Sequence, residues 1–137
     1  MSRSLDDLQP EVRERCQRLL ELAALEGIVL KVVHTLRTME EQALLYQKGR
    51  SRPGPKVTNA RPGYSFHNFG LAFDVAFGDP LDPKVVKWTG PWKRVGELGR
   101  SLSLKWGGDW KMFVDKPHFE FTGGKTLKQL RQEAGIS

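Results

Sequence analysis

Near the start of the chain, Leu8, Val12, Cys16, Leu19, Leu20 and Ala23 recur at three- and four-residue spacings, the period of a helix with one apolar face. Asp6, Asp7 and Glu11 come early, where the helix dipole favours acids, so residues 5–26 are predicted to be mainly amphipathic helix. Pro10 fits only in its first turn, and Gly27 ends it. The β-branched run Ile28-Val29-Leu30-Lys31-Val32-Val33-His34 predicts a strand. Thr38 with Glu41 three residues on is a capping-box pattern, and residues 39–48 carry helix formers until Gly49 stops them. Further along, the patterns predict a strand over 70–77, a helix over 91–102, a short strand over 117–121 and a terminal helix over 126–134. Helices and strands mix without a regular βαβ repeat. The predicted class is therefore α+β, a small antiparallel sheet flanked by helices.

One long stretch breaks the pattern. Residues 49–64 are too rich in proline and glycine for regular structure, and with Lys48 they carry Arg50, Arg52, Lys56 and Arg61. A loop of that length in a small domain either edges a binding cleft or is a solvated connector, and both readings stand at this point.

Composition narrows the classes. The 137 residues with 39% apolar content supply one core, so residues 1–137 are read as a single domain. Net charge is +6, which favours polyanionic surroundings such as nucleic acid, acidic lipid or bacterial envelope without choosing among them. A single cysteine, Cys16, excludes an intrachain disulfide and a cysteine-rich metal site, leaving histidines and carboxylates as the ligands for any metal. The first residues lack the apolar core of a signal peptide, and no run of about 18 apolar residues occurs, so the chain reads as made in the cytoplasm without membrane insertion.

The densest chemical signal is Ser65-Phe66-His67-Asn68-Phe69-Gly70-Leu71-Ala72-Phe73-Asp74. A carboxylate between Phe73 and Val75 in an apolar strand is costly to desolvate alone, so Asp74 is expected to be paired, solvent-lined or bound to a metal. Strand alternation puts it on one face with the small Ala72 and Ala76, leaving room for a site. In Asp115-Lys116-Pro117-His118-Phe119-Glu120-Phe121, His118 and Glu120 share a face while Phe119 and Phe121 anchor the other. Two imidazoles and one carboxylate make an open catalytic zinc site with a fourth position for water. Glu120 can orient a ligating imidazole, and Asp115 can stand beside the metal as a base.

These residues resemble the zinc peptidases that comprise D-alanyl-D-alanine carboxypeptidases and dipeptidases and the phage L-alanyl-D-glutamate endopeptidases. That family's pattern is Ser-x-His-x-x-Gly-x-Ala-x-Asp with a later acid and final histidine, filled here by Ser65, His67, Gly70, Ala72, Asp74, Asp115 and His118. The resemblance implies a Hedgehog/DD-peptidase-like fold, one Zn2+ per chain held by His67, Asp74 and His118, and Asp115 as general base. Leu36-Arg37-Thr38 looks like the family's Arg-Thr element, which implies that Arg37 stabilises the developing oxyanion. Trp106-Gly107-Gly108-Asp109-Trp110 and the Asp at 115 look like the endopeptidase branch. The implied protein is a monomeric phage endolysin acting on peptidoglycan, a catalytic module without a wall-binding domain, released from the host cytoplasm through a holin-type membrane lesion.

Other residues read less sharply. Ser65 lacks a nucleophile elbow and is expected to hydrogen-bond a turn or a ligand carboxylate. Asp109, after two glycines, is either a turn residue or a substrate contact. His34 reads as a strand-end residue outside the site. At least two of Trp88, Trp92, Trp106 and Trp110 are expected to pack against the terminal helices. The competing functions are a D-alanyl-D-alanine carboxypeptidase, a non-catalytic zinc module, and nucleic-acid binding through the basic loop, which leaves the paired His and Asp residues unexplained.

Overall fold

A computed structural model describes residues 1–136 and orders them as α1 (Pro10–Leu25), β1 (Leu30–His34), α2 (Met39–Gln47), β2 (Ala72–Asp79), β3 (Asp82–Lys87), α3 (Trp92–Ser101), β4 (Lys105–Trp106), β5 (His118–Glu120) and α4 (Leu127–Glu133). The helix predicted over 5–26 is divided. Leu5–Asp7 form a separate 3-10 turn capped by Ser4, and α1 starts at Pro10, whose missing N–H is harmless only in a first turn. Thr38 and Glu41 close the predicted capping box on α2, and Thr126 with Gln129 forms another on α4.

The sheet is antiparallel, in the order β1-β2-β5-β4, with β3 also paired to β2. β3 and β4 were not predicted. β3 is mostly exposed and contains Pro83, so it has no apolar alternation to read, and β4 is only two residues long.

β2 holds the molecule together because both of its faces are buried from Ala72 to Phe77. Phe73, Val75 and Phe77 join Phe119 of β5, the apolar stripe of α1 (Val12, Cys16, Leu19, Ala23) and Val95 and Leu98 of α3 in one core. Phe73 and Phe119 stack with centroids 5.7 Å apart and are fully buried, each contributing about 1.5–3 kcal/mol by leaving water. Helix α3 carries two glycines that cost about 1 kcal/mol each in helix propensity. Packing accounts for them: a Cβ on Gly96 would stand 2.3 Å from the Trp106 ring, and one on Gly99 2.4 Å from the Phe119 ring.

Two of the four tryptophans are buried in the core that includes α1. Trp92 packs on Phe77 and Trp106 lies against Phe119 and α3, while Trp88 and Trp110 are exposed. The aromatic packing partners are thus the sheet and α3. Cys16 is buried in the core, which pushes its thiol up to about 12. Among the described residues no helix is long and apolar enough to cross a membrane.

Candidate metal centre and catalytic cleft

On the face of β2 opposite the core, Asp74 is paired across the sheet with His34 of β1 on one edge and His118 of β5 on the other. Directly paired residues in antiparallel strands project to the same side, so the sheet lines up His34, Asp74 and His118 in one row. His67 reaches the same point from the 3-10 turn Phe66–Phe69, which enters β2 through Gly70. Only a glycine suits that junction, because its φ is +70° and a Cβ would approach the Asp7 carbonyl to 3.0 Å.

Ring hydrogen bonds set the donors. His67 Nδ1–H donates to the Thr35 carbonyl at 2.9 Å, which turns Nε2 toward Asp74 Oδ1, 3.2 Å away. His118 Nε2–H donates to Glu120 Oε1 at 2.7 Å, which turns Nδ1 toward the same oxygen at 3.4 Å. In neutral rings both inward nitrogens are lone pairs facing an anionic oxygen, an arrangement that needs a cation or extra protons between them. Around a tetrahedral ion with bonds of about 2.0–2.1 Å, donor atoms stand about 3.3 Å apart, close to both measured separations. His67, Asp74 and His118 are all buried, and their donor atoms lie within 4.8 Å of one another. The donor set therefore fits a metal ion.

The protonation balance agrees. Burial alone would raise the Asp74 pKa, but hydrogen bonds from His118, His34 and His67 outweigh it and hold the carboxyl well below its usual range. Burial would lower His118, yet Asp74 and Glu120 lift it to about 9, so the metal-free cluster keeps a proton where a cation would otherwise sit.

Asp115 stands just outside this cluster, with Oδ2 4.0 Å from His118 Nδ1 and its side chain half exposed. Burial, then the Asp74 charge, raise its pKa, against the opposing pull of His118, His67 and Arg37. Its place is set by the backbone. His118 N–H closes a turn onto the Asp115 carbonyl, Asp115 N–H donates to the Gly107 carbonyl, and the Trp106 indole N–H donates to the Lys116 carbonyl at 2.7 Å. A Cβ on Gly107 would lie 2.2 Å from the Asp115 carbonyl oxygen, so Gly107 is what lets the two loops meet, while Gly108 makes room for the Trp106 ring, which a Cβ there would approach to 2.2 Å.

Arg37 enters the cleft beneath His67, to whose carbonyl its backbone N–H donates at 3.0 Å. Its Nη1 donates to Gln42, which is fully buried and in turn donates to the Ala60 carbonyl. Asn68 links the same group, donating to the Arg37 carbonyl at 3.0 Å and accepting from Gly63 N–H at 3.1 Å. Arg37 Nε is buried without a partner among the described residues. Burial lowers the guanidinium from its usual range, while the charges of Asp74, Glu41 and Asp115 favour the cation.

The structure brings His67, Asp74, His118, Asp115, Arg37, Glu120 and Ser65 to one cleft of about 1070 Å³. Ser65 caps the 3-10 turn, its Oγ accepting from His67 N–H at 3.3 Å. Asp109 is not among the lining residues; its carboxylate pairs with Arg100 of α3 at 2.7 Å at the surface. The long loop edges the cleft through Val57, Thr58, Asn59, Ala60 and Tyr64, not through its cations. Sequence reading missed two contributors. His34 donates to Asp74 Oδ2 at 2.9 Å, and Gln42 braces Arg37. Strand pairing is the only signal for the first; for the second, a polar residue on the inward side of α2 offered a weak one.

A family model described as D-alanyl-D-alanine carboxypeptidase matches residues 58–121, which contain six of the seven cleft residues just named. A peptidoglycan L-alanyl-D-glutamate endopeptidase of Bacillus subtilis is 38% identical over 123 residues, 83% of this chain and 73% of the relative. An L-alanyl-D-glutamate peptidase of a Listeria phage is 31% identical over 127 residues, 88% of this chain but only 41% of the longer phage protein. The crystal structure of the Serratia marcescens L-Ala D-Glu endopeptidase ChiX superposes with a TM-score of 0.59 at 25% identity, covering 86% of this chain and 83% of that one. Geometry and likeness thus converge: the chain belongs to the D-alanyl-D-alanine carboxypeptidase family of metallopeptidases, with peptidoglycan L-alanyl-D-glutamate endopeptidases among its relatives.

Proposed function

We propose that this chain is a zinc peptidase that hydrolyses the L-alanyl-D-glutamate bond of peptidoglycan stem peptides. The observation that carries the proposal is the convergence of three buried donor atoms, His67 Nε2, Asp74 Oδ1 and His118 Nδ1, beside a carboxylate that is not one of them. One zinc ion, when bound there, supplies positive charge that polarises the scissile carbonyl and acidifies water. Asp115 takes the proton of the attacking water on its carboxylate and passes it to the leaving amine. Arg37, whose side chain lines the cleft, supplies positive charge to the carbonyl oxygen as negative charge grows there. Glu120 and the Thr35 carbonyl hold the two imidazoles in the tautomers that point lone pairs inward.

Bond choice follows the relatives, of which the Bacillus and Listeria phage proteins both act between L-alanine and D-glutamate. The second reading, a D-alanyl-D-alanine carboxypeptidase, rests on the description of the matching family. Mass spectrometry of peptidoglycan digested by the purified chain separates them. New N-terminal D-Glu is expected, and released D-Ala would establish the carboxypeptidase instead. Chelation is expected to abolish hydrolysis and zinc to restore it; full activity in metal-free protein would overturn the mechanism. All the named groups come from one chain, so a monomer suffices. The phage relative supports a role as endolysin.

A further inference from the structure

We propose that His34 is a positioning residue for the metal site: it holds Asp74 by its outer oxygen, so that a single carboxylate oxygen faces the ion. The proposal rests on the metal reading above. The two oxygens of Asp74 have separate partners. Oδ1 faces His67 Nε2 and His118 Nδ1, at 3.2 and 3.4 Å, whereas Oδ2 accepts from His34 Nδ1–H at 2.9 Å. The third histidine therefore does not join the cluster of inward donors. It bonds the oxygen that those donors do not use.

A local irregularity of β1 makes this contact. Val32 pairs with Val75, and regular antiparallel register would continue with Val33 opposite Asp74 and His34 opposite Phe73. That arrangement would place the imidazole on the core face. Instead the register shifts between Val32 and His34, and His34 pairs with Asp74. One extra residue in one strand returns the following side chain to the other face, which is the use of a β-bulge beside a functional site. Val33, the extra residue, is buried, and His34 keeps 38% of its side chain exposed at the cleft edge.

The chemical consequence concerns the number of protein ligands. Rotation about the terminal carboxylate torsion is soft, and an unrestrained aspartate can offer both oxygens to a cation. A second oxygen would occupy part of the coordination sphere that a catalytic site keeps open for water or substrate. A hydrogen bond to Oδ2 fixes the carboxylate plane and leaves Oδ1 as the one inward oxygen, the task that partners of ligating groups commonly perform.

The test uses the full chain and reads metal binding, not only turnover. Zinc affinity is measured by competition with a chromophoric chelator, and ligand number by visible absorption of the cobalt(II)-substituted protein, which weakens as coordination number rises. His34→Phe and His34→Ala remove the donor, while the amide nitrogen of His34→Asn takes the place of Nδ1. The Phe and Ala variants are expected to bind zinc about 10- to 100-fold more weakly and to show a weaker cobalt band. The Asn variant is expected to retain the native band and most of the native affinity. If Phe and Ala variants match the native chain in both measurements, the proposal is overturned while the metal reading stands. Equal losses in all three variants would also overturn it, because the imidazole would then matter for something other than its Nδ1 donor. A native chain that binds no zinc would overturn the metal reading and this proposal with it.

Discussion

Asp115→Asn separates the proposed base from the metal ligands by replacing one carboxylate oxygen with an amide nitrogen at almost no change in volume. In the structure Asp115 Oδ2 is 4.0 Å from His118 Nδ1, outside the 3.2–3.4 Å spacing of the donors around Asp74 Oδ1. An amide at 115 keeps the turn, whose hydrogen bonds to Gly107 and His118 use backbone atoms only. It cannot accept a proton from water. General-base assistance is commonly worth about 10²- to 10⁴-fold, or about 2.7–5.4 kcal/mol of barrier at about 1.36 kcal/mol per tenfold. The variant is therefore expected to bind one zinc per chain with native affinity and to lose at least about a hundredfold in turnover on purified peptidoglycan. Asp74→Asn is the control, because it replaces a charged inward oxygen and is expected to weaken zinc binding itself. Zinc content after dialysis and release of new amino groups are the two readouts. If Asp115→Asn loses zinc while Asp74→Asn keeps it, ligand and base have been exchanged. If Asp115→Asn keeps zinc and near-native turnover, Asp115 is not the base.

Three further outcomes follow from the geometry. Arg37→Ala is expected to lower turnover by about 10²- to 10³-fold with little change in KM, since an oxyanion contact strengthens as charge develops; a raised KM with unchanged kcat would make Arg37 a substrate-holding residue. Gly107→Ala introduces a Cβ 2.2 Å from the Asp115 carbonyl oxygen and is expected to cost roughly 10²-fold in turnover with zinc retained, whereas native activity would show that the base does not depend on that close approach. In metal-free protein His118 is raised from 6.5 to about 9, so its contribution to stability is fully present below about 6.5 and is lost as pH rises through about 9. Zinc held by the proposed ligands would displace the same proton, so the rise in Tm on adding zinc is expected to grow across that window, and a zinc effect independent of pH would refute the competition.

How much of this was legible in the sequence depended on whether a residue's neighbours in space were also its neighbours in the pattern. Asp74 announced itself because a carboxylate inside an apolar strand has no cheap structural explanation, and the period of two put it opposite Phe73 and Val75. His118 and Glu120 were visible for the same reason. The position of His34 was not, because regular alternation along β1 cannot reveal the shift between Val32 and His34 that brings the imidazole to Asp74. The strand β3 escaped because its side chains are mostly exposed and an exposed strand carries no apolar rhythm. For Asp109 the sequence left a turn residue and a substrate contact both open, and only the fold shows Arg100 of α3 beside it. Pro10 opens α1, as a first-turn proline should, while Leu5–Asp7 form a separate 3-10 turn that apolar periodicity does not distinguish from the helix after it.

The two faces of β2 explain why so small a domain can maintain such a polar cluster. On the site face, Asp74, Glu120, His67 and His118 are all buried, a combination that in isolation would carry a large desolvation cost. Each residue is bonded to at least one other member or to backbone, so the cost is offset within the cluster only when a cation or proton occupies its centre. On the opposite face, the same strand supplies Phe73 and Val75 to the core with α1 and α3, away from the cluster. Loss of the proposed metal is therefore expected to exchange an ion for protons at the cleft while the helices and sheet remain docked. Period-two alternation along a single strand thus divides the labour, with stability on one side and a tightly constrained but chargeable site on the other.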